Sequence, residues 1–139
     1  MNYPQHILDK AKNDPRVTLM DWKFEQTLPP LVAETVTAYI KVIQGEFVKL
    51  LHTNKETDEV YREWLVGHKP FMDFKTRYPT IFKKITTREF ALSPPLMSLV
   101  LYEVYILEQV QNGKLTEAEA QQKIAKSALE CMIAHANKT

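Results

Sequence analysis

From Ser93-Pro94 to Asn112-Gly113 the chain carries Leu96, Met97, Leu99, Val100, Leu101, Val104, Ile106, Leu107 and Val110, which leave hardly any side of a helix without an aliphatic side chain. A helix that is apolar nearly all round belongs at the centre of a fold, with the other elements packed about it. Its most apolar stretch, "LMSLVLYEVYIL", has 12 residues and includes Glu103. That is well short of the roughly 20 needed to span a bilayer, so the segment predicts a buried helix rather than a membrane anchor.

The ends of this segment show how the rest of the chain is punctuated. Proline tolerates the first position of a helix, where its missing N–H would find no partner in any case, and Ser93 before Pro94 supplies a cap. The same device recurs upstream. Pro4 opens a short helix that Asp14-Pro15 closes, Pro30 opens a long one, and Pro70 a short one. Over 30–52 the apolar residues Val32, Val36, Tyr39, Ile40, Ile43, Phe47, Leu50 and Leu51 recur at threes and fours, which makes one stripe to lay against the core. Thr57 followed by Asp58 and Glu59 predicts a capped helix that contains Val60, Trp64 and Leu65 and stops at Gly67. Thr116 and Glu119 form a capping box before a run of strong helix formers, so residues 94–137 predict a long helical hairpin turned at Asn112-Gly113.

At 139 residues the chain is long enough for one core without a disulfide or metal staple. The expected fold is an all-α, single-domain irregular helical bundle over residues 1–139, with about six to eight helices of uneven length. One stretch departs from the pattern. In "VTLMDWKFE" (17–25), Met20, Trp22 and Phe24 alternate with charged residues, a period of two that suits an extended segment. Residues 16–29 therefore read as an extended strap. It either lays Trp22 and Phe24 onto the helices or offers Met20, Trp22 and Phe24 to a second copy or a partner.

Familiar catalytic signatures are missing. The three glycines, Gly45, Gly67 and Gly113, stand too far apart to build a phosphate-cradling or dinucleotide-binding loop, and no serine sits in a Gly-x-Ser-x-Gly elbow. His6, His52, His68 and His135 lack zincin or di-iron spacing. Cys131 and His135, at i and i+4, could reach one ion from a single helix face, but two ligands do not make a tetrahedral site. The expectation is no catalytic residue, no metal and no cofactor. A single cysteine and a start, "MNYPQHILDKAK", without a signal-like apolar core predict an intracellular, reducing, cytoplasmic setting.

Charge is balanced overall at +1, but residues 67–88 hold six Lys/Arg against one Asp/Glu. Four of the six lie in "FMDFKTRYPTIFKKI" (71–85), and Lys69 and Arg88 flank it. Phased as a helix, Phe71, Phe74, Tyr78, Ile81, Phe82 and Ile85 share one stripe that reads as core, and Pro79 breaks or kinks the helix after Tyr78. The cations Lys69, Lys75, Arg77, Lys83, Lys84 and Arg88 spread around the remaining circumference. They read as a solvated face, as a basic surface docking onto Asp58, Glu59 and Glu63, or as phosphate contacts in a layout that loosely resembles a helix-turn-helix. Glu103, inside the apolar helix, is expected on a solvent-facing or ion-paired stripe; the alternative is a buried acid with a raised pKa.

These readings favour a non-enzymatic protein-protein interaction or assembly module, with a protein partner or self-association. Nucleic-acid binding through 69–88 is the alternative. Neither a membrane nor a small-molecule substrate is implied.

Overall fold

A computed structural model describes residues 4–12 and 32–136. Among these the protein is an all-α, irregular bundle of eight helices: α1 (Gln5–Lys12), α2 (Ala33–Thr53), α3 (Asp58–Leu65), α4 (Lys69–Arg77), α5 (Pro79–Ile85), α6 (Arg88–Ala91), α7 (Pro94–Gln111) and α8 (Glu117–Ala136). The 16–29 strap, with Met20, Trp22 and Phe24, lies outside the described residues.

Helix α7 occupies the position its composition demands. Leu96, Leu99, Val100, Val104, Ile106 and Leu107 are all buried. Helix α8 lies along one side of it, while α2 and α6 cover others, and α1 packs on α8. From α2 come Ala33, Val36, Ile40, Ile43 and Phe47, at alternating spacings of three and four. From the segment after α4 come Ile81, Phe82 and Ile85. Each large apolar side chain removed from water in this way contributes about 1.5–3 kcal/mol before conformational entropy is set against it. A smaller cluster of Ile106, Ala120 and Ile124, with Tyr102, Val110 and Leu115 packed on it, lies toward the turn of the α7–α8 hairpin.

Local chemistry accounts for most of the helix ends. The Ser93 hydroxyl accepts the Leu96 N–H at 3.3 Å, and the Thr57 hydroxyl accepts that of Val60 at 3.2 Å. Thr116 and Glu119 make both bonds of the capping box, at 3.0 and 3.1 Å. Helix α7 ends in a Schellman turn: the Lys114 N–H donates to the Gln109 carbonyl at 2.9 Å and the Gly113 N–H to that of Val110 at 3.1 Å. Tyr78, with φ −129° and ψ 66°, separates α4 from α5, as Pro79 requires.

Two boundaries differ from expectation. Helix α2 begins at Ala33, three residues after Pro30, with Val32 extended and without a side-chain cap of its own. The start is set from elsewhere in the fold, because the Ala33 N–H donates to Glu108 Oε2 of α7 at 2.7 Å. The other is α3, which ends at Leu65 without a left-handed Gly67. That glycine meets a different need, since a Cβ there would stand 3.2 Å from the Trp64 carbonyl oxygen.

The α5–α6 corner is fastened by polar side chains. Arg62 donates from Nε to Thr86 Oγ1 at 3.1 Å and from Nη2 to Thr87 Oγ1 at 2.8 Å. Gln44 of α2 donates to the Ala91 carbonyl at 2.8 Å, satisfying an acceptor at the end of α6 that has no partner within its own helix.

Gly113, at φ +74°, is the one described residue with a positive φ. Its missing Cβ would meet nothing within 4 Å, so a side chain there is penalised through the backbone alone. Gly113→Ala is expected to cost about 1–2 kcal/mol of stability. In urea unfolding the midpoint should fall with the slope unchanged; an unmoved midpoint would contradict the assigned turn.

Candidate functional site

Helices α2 and α4 do not close on each other. Between the first two turns of α2 and one face of α4 lies a cleft of about 470 Å³. Val32, Thr35, Val36 and Tyr39 form the α2 wall, and Pro70, Phe74 and Tyr78 the wall opposite. Tyr39 meets Phe74 with ring centroids 6.1 Å apart, and Phe74 meets Tyr78 at 5.3 Å, so the aromatic surface runs on from one wall to the other. Tyr39, which the sequence assigned to the core stripe of α2, is 41% exposed.

The polar part of the cleft comes from α4. Lys69, Asp73 and Arg77 stand four residues apart and all line the opening. Lys69 Nζ pairs with Asp73 Oδ2 at 3.1 Å in an exposed contact that contributes little to stability. Arg77 is different. Its guanidinium lies 5.5 Å from the centroid of the Tyr78 ring, and its Nε and Nη2 are buried without any hydrogen-bond acceptor. Burying a charged donor unpaired is costly, on the order of 1–3 kcal/mol for each group.

The six cations of residues 69–88 meet different surroundings. Lys69 serves Asp73, and Arg77 faces the cleft. Arg88 donates from Nε to Asp58 Oδ1 at 2.7 Å and from Nη2 to the Glu56 carbonyl at 2.9 Å, the intramolecular docking onto an acidic side chain that the charge pattern allowed. Lys84 is buried, its ammonium 5.8 Å from the centroid of the Phe90 ring. Lys75 and Lys83 are exposed. The two helices of the helix-turn-helix layout turn to different partners, α3 to α2 and α4 to α5. The aromatic stripe is core as expected: Phe74, Tyr78, Ile81, Phe82 and Ile85 are buried, and Phe71 packs against them.

Glu103 corrects an expectation. It is fully buried rather than on a solvent-facing stripe, and neither carboxylate oxygen has a hydrogen-bond partner. Val100, Val104, Ile106 and Leu107 are buried around it on α7, and the exposed face of the helix, at Ser98 and Tyr105, lies on the other side. Burial pushes its carboxyl up from the ordinary 4.5 to about 8, and the Lys84 ammonium draws it part of the way back. Glu103 does not line the α2–α4 cleft.

Cys131 is buried and donates from Sγ to the Pro95 carbonyl at 3.1 Å, which ties α8 to the start of α7; the side chain of His135 lies outside the described residues. Among the described residues no group of three or more His, Cys, Asp or Glu side chains could hold a metal ion together, and no helix is long and apolar enough to cross a membrane. No protein-family model, curated protein or solved structure matches the chain. The site therefore has to be read from its own geometry.

The raised Glu103 carboxyl gives stability a definite pH dependence. Below about pH 4.5 the folded and unfolded chains both hold the proton; between there and about pH 8 only the folded chain holds it. Stability from this group is thus complete below the unfolded value and lost as pH rises through the folded one. Between about pH 5 and pH 8.5 the native chain should lose on the order of 2–4 kcal/mol that Glu103→Gln does not lose. Parallel urea titrations of the two proteins read the difference; equal pH slopes would show that Glu103 ionises normally. Lys84→Met should raise the Glu103 midpoint further in a carboxyl-carbon NMR titration.

Proposed function

We propose that the protein is a non-enzymatic interaction module that holds a partner protein in the α2–α4 cleft. What carries this reading is the incompleteness of the cleft: an apolar, aromatic lining that no described residue fills, with Lys69, Asp73 and Arg77 along one side. Apolar surface also continues beyond the opening. Val32 at its rim is 52% exposed, and Val42, three residues beyond Tyr39, is 54% exposed. A surface that is part pocket and part open stripe suits a polypeptide better than a compact metabolite, which would be enclosed.

Nucleic-acid binding draws less support. Phosphate contacts need several free cations on one surface, and of the six only Lys75 and Lys83 are both exposed and outside the intramolecular pairings described above. In low salt a short DNA duplex should bind no more weakly to the Lys75→Glu/Lys83→Glu variant than to the native chain. A steep salt dependence abolished by that variant would restore the nucleic-acid reading.

For the partner reading, a photo-cross-linking residue replacing Val42 should join the protein to a second polypeptide in cells that make it. Tyr39→Glu should suppress the adduct, whereas Lys83→Glu should leave it unchanged. Adducts that survive Tyr39→Glu, or no adduct at all together with a strict monomer in sedimentation, would count decisively against this function. An adduct of twice the chain's mass would identify the partner as a second copy.

A further inference from the structure

On α2 the exposed side chains Thr35, Tyr39 and Val42 fall within about 60° of one another around the helix axis, and exposed Val32 stands at their N-terminal end. From Val32 to Val42 this stripe runs for about 15 Å, nearly three turns. It ends at Glu46, whose carboxylate pairs with Lys49 Nζ at 3.1 Å. The cleft opens alongside it, and on the α4 side of the opening stand Lys69 and Asp73, one turn apart.

Resting on the cleft reading above, we propose that the partner presents an amphipathic α-helix of about three turns, which lies along α2 with its apolar side chains on Val32, Tyr39 and Val42 and in the cleft, and with an acid and a base one turn apart facing Lys69 and Asp73. Backbone chemistry argues for a helix. An extended segment brings N–H and C=O groups that need partners, and walls made of two helices offer it no row of free backbone groups. Nor is there a strand among the described residues whose edge could take it up. A helix satisfies its own backbone and shows an apolar face at threes and fours, which matches a stripe of Val32, Tyr39 and Val42 beside the rings of Phe74 and Tyr78.

Charge sets the register. Lys69 and Asp73 keep 85% and 65% of their side-chain surface while paired at 3.1 Å, so both remain open to charges from outside. An ammonium and a carboxylate each have more than one hydrogen-bonding position, and one contact does not exhaust them. Opposite charges spaced one turn apart on two facing helices are the means by which paired helices choose partner and alignment.

Peptides of about 15 residues, the length at which an isolated helix first becomes tenable in water, provide the test. A displayed random library of that length is selected on the full-length chain, with Tyr39→Glu as the counter-selection. Enriched peptides should carry Leu, Ile, Phe or Met at threes and fours beside one acid and one base. The carbon chemical shifts of a labelled synthetic member should move to helical values on binding, and a central proline should weaken it about 100-fold. The exchanged variant Lys69→Glu/Asp73→Lys should bind the same peptide about 3- to 10-fold more weakly, and exchanging the peptide's own acid and base should restore the loss. Circular dichroism and thermal melting establish that each variant is folded.

Cleft-directed peptides that bind extended and tolerate the central proline would overturn the helix while leaving the cleft reading in place. Affinity unmoved in the exchanged variant would overturn the charge register. Failure to enrich any peptide over the Tyr39→Glu control would remove the cleft reading itself. A dimer that competes with the peptides and that Tyr39→Glu dissociates would make the occupant a second copy and overturn the proposal, as would octanoate binding more tightly than any peptide. Affinity that rises in a folded Trp22→Ala/Phe24→Ala variant would overturn it in favour of the chain's own 17–25 segment.

Discussion

The constraint that orders this molecule is that α7 shows water only the one narrow face that carries Ser98 and Tyr105 and has to bury the rest. Leu96, Leu99, Val100, Val104, Ile106 and Leu107 point in too many directions for one neighbour to cover. Helices α2, α6 and α8 share the task, and short α5 delivers Ile81, Phe82 and Ile85 to the same cluster. Such a helix imposes irregularity on its surroundings. The segments between α2 and α7 are brief because each covers a limited patch and must then turn, and Pro79, Thr57 and Ser93 mark where they do so.

The same constraint accounts for Glu103. The face of α7 that meets water carries Ser98 and Tyr105, and Glu103 stands on the side turned away from it, among Leu96, Val100 and Leu107. The burden is partly lifted by Lys84, which comes from α5 and stacks near Phe90. A buried acid and a buried ammonium are rarely a net gain in stability over apolar residues of similar size. The attraction of the Lys84 ammonium on α5 acts only on the ionised form of Glu103 on α7, so it depends on a proton.

Features that depend on near neighbours in the chain were legible from sequence. The capping box of Thr116 and Glu119, the turn at Gly113, the Ser93 cap and the break before Pro79 each involve residues within a few positions of one another. Features set by residues remote in sequence were not. The start of α2 depends on Glu108, 75 residues from Ala33, and no local signal at Pro30 reports it. The burial of Lys84 depends on Phe90 and Glu103, so a helical projection of 71–85 placed it with the solvated cations. The cleft was hidden for a similar reason: Tyr39 reads as core by phase, and only its exposure beside Phe74 shows that α4 stops short of covering it. A trace existed in the four-residue ladder Lys69, Asp73, Arg77 alongside Pro70 and Phe74, which sets a charged line against an apolar one on adjacent faces.

That ladder also bears on why Arg77 stays unfilled. An acid four residues before a cation on a helix is the more favourable order for a pair, so Asp73 with Arg77 would be preferred to Lys69 with Asp73 on intrinsic grounds. The chain shows the less favoured pairing, between two exposed side chains. Arg77 lies instead over the ring of Tyr78, whose backbone is fixed by the break before Pro79 and whose side chain is buried in the core. The guanidinium is therefore positioned by the end of α4 rather than by its nearest carboxylate.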